Sequence, residues 1–354
     1  EAAGTTLADM QERGDRGDAV TTAAVGAGNL ISELFVQGAV DGVMGLGGSA
    51  GTVIASSAMR VLPLGVPKVM VSTLASGQTR PYVGGKDILM LNSVVDISGI
   101  NRISRIVLSE AAAAMAGMVT LQSTSRKNSD EKPLIAASMF GVTTPCVQHA
   151  QKILEEAGYE VLVFHATGNG GEAMEGLIAD GLITGVLDIT TTELADELVG
   201  GSLTAGPNRL TAAAKRGIPQ VISVGATDMV NFGPPESVPE KFRERKFYHH
   251  NSSVTLMRTT PDENAQLGNE IARKAAASSG PVTIILPLKG VSAIDCDGQP
   301  FDDPEARNAL IDAIRQNHGD VELVELPQHI NDVEFAEAAA GRLIELIKQH
   351  MSLK

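Results

Sequence analysis

The chain has 354 residues, with 42 Asp and Glu against 28 Lys and Arg, a formal net charge of −14. That balance argues against nucleic acid as a partner, because neutralising a phosphate backbone takes clustered Lys and Arg. Hydrophobic residues make up 43% but aromatics only 3%, with no Trp, so the length predicts two domains whose cores rest on Ala, Val, Ile, Leu and Met.

Residues 18–37 read as one amphipathic helix, with Val20, Ala24, Ala27, Leu30, Ile31, Leu34 and Phe35 on a single stripe. The run Val40-Asp-Gly-Val-Met44 reads as a buried strand, and Val53–Met59 as the start of a helix. Between them lies Gly45-Leu-Gly47-Gly48-Ser49-Ala50-Gly51-Thr52. A strand, a glycine-rich turn and a helix aim backbone N–H groups and the positive end of a helix at an anion. Glycines allow close backbone approach, and Ser49 and Thr52 offer hydroxyls. Residues 42–86 contain no Asp or Glu, where an even spread of the chain's acids would place about five. The same residues contain Arg60, Lys68, Arg80 and Lys86. This pattern fits a bound polyanion, with a buried parallel strand as the competing reading.

The next strand, Pro67–Thr73, runs into a second hydroxyl-rich loop, Ser72-Thr73-Leu-Ala-Ser76-Gly77. Two such loops at adjacent strand ends could cradle a triphosphate or a phosphosugar, against ordinary turn chemistry as the alternative. Gly45-x-Gly47-x-x-Ala50 also satisfies the dinucleotide pattern. That pattern wants an acid at the end of the following strand to hold ribose hydroxyls, and none stands there, so a nicotinamide-dependent oxidoreductase is the weaker reading.

Asp87–Leu91 follows as a strand and 101–118 as a helix. Leu121–Pro133 is polar and aperiodic and reads as a linker. Beyond it, apolar runs at 134–139, 160–164, 184–189, 219–224, 282–286 and 321–326 alternate with helical patterns that include 147–157 and 334–349. Alternating strands and helices imply a mainly parallel sheet covered on both faces. The expected domains are therefore residues 1–120 and 134–354, joined by 121–133.

The halves repeat weakly. Gly38–Met44 aligns with Gly181–Leu187, Gly65–Ser72 with Gly217–Val224, and Asp87–Leu91 with Ser253–Met257. The second half has two strands before its Gly181 block, and the first half has none before Gly38. A doubly wound sheet places its first strand centrally, so the first unit is expected to lack N-terminal strands.

In the second half, Phe164-His165-Ala-Thr167-Gly168-Asn169-Gly170-Gly171 repeats the strand–turn–helix layout. Thr167, Gly168, Asn169, Gly170 and Gly171 are candidate contacts to a small anionic substrate, and Arg258 is a candidate carboxylate or phosphate binder. Asp188 and Glu193 flank Thr190-Thr191-Thr192 where the first half has its glycine loop. A group of His165, Asp188 and Glu193 at neighbouring strand ends could do general acid–base work. A hydrogen-bonded histidine and an ordinary helix start are the competing readings. His249-His250 sit side by side on a strand, which points them apart and makes metal binding a poor expectation. Cys146 and Cys296 are too few for a disulfide framework or a four-cysteine zinc site, and burial is expected for Cys146. No run approaches the ~18 consecutive apolar residues of a membrane span, and no signal peptide is read, so a cytoplasmic protein with no membrane partner is expected.

Together these residues resemble the ATP-binding family named after the tomato mosaic virus resistance protein. The resemblance is carried by Gly45–Thr52, Val71–Gly77, Val94–Arg102, Met139–Cys146, Phe164–Gly171, Asp188–Glu197 and Asp228–Pro235. It implies two Rossmann-like domains, a homodimer, and ATP, with magnesium, held by the N-terminal domain. On this chain the cofactor contacts would be Gly45, Gly47, Gly48, Ser49, Gly51, Thr52, Ser72, Thr73, Ser76 and Gly77. Family members open with a strand and a Thr-Leu-Asp-Thr-Lys-Gly loop that this sequence does not contain, and ATP contacts are expected from that loop too. Two functions follow: an ATP-dependent enzyme acting on a small acid or phosphorylated metabolite, or a non-catalytic, nucleotide-responsive binding protein.

Overall fold

Side-chain caps start the first two helices, α1 (Leu7–Arg13) and α2 (Arg16–Val36). Thr6 and Asp9 form a reciprocal capping box, Gly14 closes α1 in left-handed backbone, and Asp15 accepts the Asp18 amide. The computed structural model describes residues 2–124 and 131–352, and the chain divides into two units, Glu1–Ser129 and Asp130–Lys354.

In the first unit, β1 (Val43–Gly47), β2 (Lys68–Ser72) and β3 (Leu89–Asn92) form a parallel sheet in that order. Helix α3 (Ser49–Arg60) links β1 to β2, the short α4 (Arg80–Val83) precedes β3, and α5 (Arg102–Thr124) follows it. Alternation along β2 sends Met70 to Met59, and Val69 and Val71 to Val107 and Ala111 of α5. Helix α2 lies on α3, where the Gly28 position faces Val61.

Lys68 is fully buried. Its Nζ donates to the Pro63 carbonyl at 2.7 Å, the Val66 carbonyl at 2.9 Å and Asp87 Oδ1 at 2.7 Å. It opens β2, at the end of the strand opposite the glycine loop. This corrects the sequence argument, which counted Lys68 toward a bound polyanion.

The expected linker is partly helix: residues 121–124 belong to α5, and 125–130 lie outside the described residues. The helices Arg16–Val36 and Arg102–Gln122 are long and apolar enough to cross a membrane by length and composition. Polar residues interrupt both, so neither is an unbroken apolar run.

The second unit contains β4 (Leu134–Met139), α6 (Thr144–Glu156), β5 (Glu160–His165), α7 (Asn169–Ala179), β6 (Ile183–Thr190), α8 (Thr192–Val199), α9 (Ala212–Arg216) and β7 (Gln220–Gly225). Next come β8 (Met229–Phe232), β9 (Phe247–Asn251), β10 (Val254–Arg258), α10 (Pro261–Ala276), β11 (Val282–Pro287), α11 (Pro304–Asn317), β12 (Glu322–Leu326) and α12 (Val333–Ser352). Six strands form a parallel sheet in the order β12-β11-β7-β6-β4-β5. Helices α6 and α12 pack on one face around Val147, Phe335 and Leu343. Helices α7 and α9 cover part of the other face around Met174 and Ile178, and α8, α10 and α11 the rest around Leu267 and Ile271.

The α/β class with mainly parallel sheets therefore holds, and both units are consistent with Rossmann-like architecture. One part of the repeat does not hold. The strand β10 pairs antiparallel with β8 and β9 in a separate three-stranded sheet, and β11 is the strand that takes the place beside β7. The apolar pattern of β10 is real, but it is satisfied within an inserted antiparallel sheet.

Candidate functional site

Strand β1 ends at Gly47 and α3 begins at Ser49, with Gly48 as the N-cap. A glycine cap has no side chain to accept the first helix amides, and no side-chain cap bond forms here. The glycines divide by task. A Cβ at Gly45 would meet Ala55 Cβ at 2.5 Å, and one at Gly47 would meet Gly51 Cα at 2.7 Å, so both serve the close packing of strand on helix. A Cβ at Gly48 would have only Thr73 Oγ1 near it, at 3.7 Å, so this position faces open space.

The two hydroxyl loops do come together. Thr52 Oγ1 and Ser72 Oγ lie 2.6 Å apart and fully buried, Thr52 also donates to the Gly48 carbonyl at 2.7 Å, and Ser72 Oγ accepts the Leu74 amide at 3.0 Å. These hydroxyls therefore tie the loops together, which leaves Ser49, exposed at the first turn of α3, and the half-buried Thr73 at the surface. Ser76 and Gly77 sit farther along, in the turn closed by the Gly77 amide on the Leu74 carbonyl.

Beside the loop, a cleft of about 350 Å³ is lined by Thr73 and by Asn92, Ser93, Val94, Val95 and Asp96. It lies at the carboxyl ends of β2 and β3, where open α/β sheets place their ligands. Sequence reasoning missed the residues after β3. Val94 holds φ at 63° and is 69% exposed, an outlier conformation for a β-branched residue. Nothing in its residue type foretold it. Only the polarity of Asn92, Ser93 and Asp96 at a strand end could have.

The second unit's glycine turn is built on the same plan and is filled from inside. Glu193 Oε1 accepts the Gly168 amide at 2.7 Å and the Gly171 amide at 3.1 Å at the start of α7. A Cβ at Gly171 would meet that carboxylate at 2.2 Å, and one at Gly170 would meet the His165 carbonyl at 1.9 Å. The substrate contacts expected from Gly168, Gly170 and Gly171 are thus corrected: an internal carboxylate occupies this cradle. Thr167 Oγ1 turns back to the His165 carbonyl at 3.3 Å, and Asn169 is exposed.

Arg209 holds the arrangement together. It is fully buried, with Nη1 2.6 Å from Asp188 Oδ2, Nη2 2.6 Å from Asp188 Oδ1, and Nε 2.6 Å from Glu193 Oε2. Glu175 Oε1 adds a longer contact to Nη1 at 3.3 Å, while its carboxylate also accepts amides at the start of α9. Burial alone would lower the arginine's pKa, but the charges around it, Asp188 first, raise it well above its ordinary value. Burial also pushes the Glu193 carboxyl above the ordinary range, against the opposing pull of Arg209.

The crevice between β4 and β6, whose following helices leave toward opposite faces, is closed by side chains. Ser138 Oγ donates to Asp188 Oδ1 at 2.6 Å, and Thr143 and Thr190 hydroxyls meet at 2.8 Å. Asp188 and Glu193 are therefore sealed away, whereas His165 is exposed and packs against Phe140 with ring centroids 5.5 Å apart. The structure does not assemble the expected acid–base group from these three. Arg209 was the missed residue: two acids at a buried strand end call for a cation, but a lone Arg in a Gly-Pro-Asn-Arg turn does not announce itself.

Arg258 is buried as well. Its guanidinium donates to the Phe301 carbonyl at 2.9 Å, Thr259 Oγ1 at 2.8 Å and Asp295 Oδ1 at 3.2 Å, so it serves the fold and does not face a substrate. Cys146 is buried and its thiol is pushed up to about 12 by burial. Among the described residues no cluster of three or more His, Cys, Asp or Glu could hold a metal, and His249 and His250 stand exposed on β9.

Two family models match the chain: the N-terminal domain of the uncharacterised protein family UPF0261 over residues 1–124, and its C-terminal domain over 132–347. A UPF0261 protein of Clostridium tetani is 53% identical over 348 residues, covering 98% of this chain and 86% of its own. A UPF0261 protein of Mesorhizobium japonicum is 49% identical over 326 residues, covering 91% and 81%. The ToMV resistance protein Tm-1(GCR237) of Solanum lycopersicum is 50% identical over 311 residues, which are 86% of this chain and 41% of the tomato protein. The chain is a member of the UPF0261 family and, with it, a relative of the tomato resistance protein.

Proposed function

We propose that the first unit binds a nucleotide, ATP with magnesium, by its phosphates at the start of α3. One observation carries this reading. Helix α3 begins on an uncapped glycine beside a cleft at the carboxyl ends of its sheet, in a stretch that supplies no carboxylate of its own. Unsatisfied amides and the helix dipole at such a point favour an anion. In this reading Thr73 and Ser49 supply hydroxyls to the phosphates, and Asp96, which lines the cleft, supplies a carboxylate to magnesium.

The burial of Asp188 and Glu193 on Arg209 favours the second reading among the functions considered, a nucleotide-responsive binding protein with no turnover at that place. A cytoplasmic homodimer is the form in which we expect it to act.

The test is Gly48→Val, followed by isothermal titration with magnesium ATP. Gly48 has φ −78° and ψ −153°, which any L-residue adopts, and its Cβ has room, so the fold should persist. Branched carbons over the first amides should weaken ATP by at least about tenfold, or ~1.4 kcal/mol. Unchanged affinity in the folded variant would overturn the proposal.

A further inference from the structure

Behind the phosphate cleft, on the α5 side of the sheet, lies a narrow slot of about 130 Å³. Leu46, Val71, Val95, Ile97, Ile100 and Leu108 give it an almost wholly apolar wall. Leu46 immediately precedes Gly47, and the slot shares Ser93 and Val95 with the cleft, so the two spaces adjoin. The slot is too small for a whole nucleotide, whose pockets run to ~300 Å³ and above.

The slot's two hydroxyls are committed elsewhere. Ser93 Oγ donates to the Val95 carbonyl at 2.7 Å. Ser104 Oγ accepts the Asn101 amide at 2.8 Å and donates to the Gly99 carbonyl at 3.3 Å. Both hydroxyl protons in this wall are therefore committed, and no side chain here is left to donate to the hydrogen-bonding edge of a purine.

We infer that this slot holds the nucleobase of the ligand whose phosphates sit at α3, and that it holds the base by apolar packing alone. The inference rests on the phosphate reading above and adds a specificity to it: the site accepts purine nucleotides with little regard to the base edge. Sites that hydrogen-bond a substrate group reject analogues lacking it by factors of ~10⁴, whereas apolar contact discriminates weakly.

Titration of the full chain with magnesium tripolyphosphate, ATP and GTP separates the two layers. Tripolyphosphate binding tests the loop, and the gain of ATP over tripolyphosphate tests the slot. The expected result is ATP tighter than tripolyphosphate by about tenfold or more, with ATP and GTP within about threefold of each other. Ile100→Ser, at a residue 67% exposed and so safe for folding, should cut the ATP gain by about fivefold and leave tripolyphosphate unchanged. Val95→Thr, nearly isosteric, should act in the same direction.

If ATP were preferred over GTP by more than about a hundredfold, the apolar-only reading would be overturned. If ATP bound no tighter than tripolyphosphate, or if both variants kept the full gain, the slot would not be the base site. If tripolyphosphate itself did not bind, the phosphate reading would fall and this inference with it.

Discussion

The starts of α3 and α7 are the same local structure put to opposite uses. Each follows a parallel strand through a glycine turn, and each aims its first backbone amides out of the carboxyl end of its sheet. At α7 the anion is built in: Glu193 takes the Gly168 and Gly171 amides, and Arg209 neutralises it from behind. At α3 the chain offers no carboxylate between residues 42 and 86, and the loop is tied by neutral hydroxyls. Glycine spacing therefore marks an anion cradle in both places. Whether the anion comes from outside depends on which acids reach it, and those acids are distant in sequence.

The comparison is broken most forcefully at Arg209. Arg209→Met removes the cation that faces Asp188, Glu193 and Glu175 and leaves buried carboxylates without a counter-charge. Removing one member of a buried pair costs about 3–5 kcal/mol, and here the second unit should lose that much or fail to fold. Thermal denaturation followed by circular dichroism measures it. A loss below about 1 kcal/mol would mean that the internal anion is not held by charge.

A smaller effect separates the units by pH. Burial pushes the Asp196 carboxyl up to about 7, although Asn231 and the Leu203 amide bond to it. Its folded pKa lies above the unfolded value, so the folded state binds the proton more tightly. That contribution is complete below about pH 3.8 and is lost as pH rises through about 7. The raised Glu193 has the same sign. Burial pushes the Asp228 carboxyl up to about 7 as well, again with the same sign. At about 1.4 kcal/mol per pH unit, Asp196 alone should account for about 2 kcal/mol of the fall in urea stability between pH 5.5 and pH 8. Asp196→Asn should remove that share of the slope and leave the share of Asp228. Asn231 Oδ1 is buried without a partner and, after an amide flip, could accept from the new side chain. A slope left unchanged by the substitution would place the pH dependence elsewhere.

Much of this could be read from the residues. The parallel strands, the α3 and α7 turns, and the long helices α2 and α12 follow from local periodicity and glycine placement, which act over a few residues. What escaped depends on distance. Glu193 reaches Gly168 across 25 residues and Arg209 reaches Asp188 across 21, and no local pattern encodes either meeting. The left-handed Val94 escaped for another reason: its conformation contradicts its residue type, so propensity points away from it. The strand at 254–258 was recognised as a strand but given the wrong neighbours, because an apolar alternation says which face is buried and not which strand lies alongside.

The smallest expected effect sharpens the comparison from the other side. Thr52→Val keeps the shape of the side chain and removes the hydroxyl that bridges Ser72 Oγ and the Gly48 carbonyl. Ser72 Oγ keeps the Leu74 amide, so only one neutral contact and one acceptor are left short. Neutral buried hydrogen bonds contribute about 1 kcal/mol each, and with two of them removed the first unit should lose about 1–2 kcal/mol by thermal denaturation. The glycine loop would remain in place, because the tight approach of Gly47 to Gly51 is made by backbone atoms and does not involve the hydroxyl. A loss approaching that of Arg209→Met would mean that the first loop is locked as firmly as the second, and the contrast between an open cradle and a filled one would no longer hold.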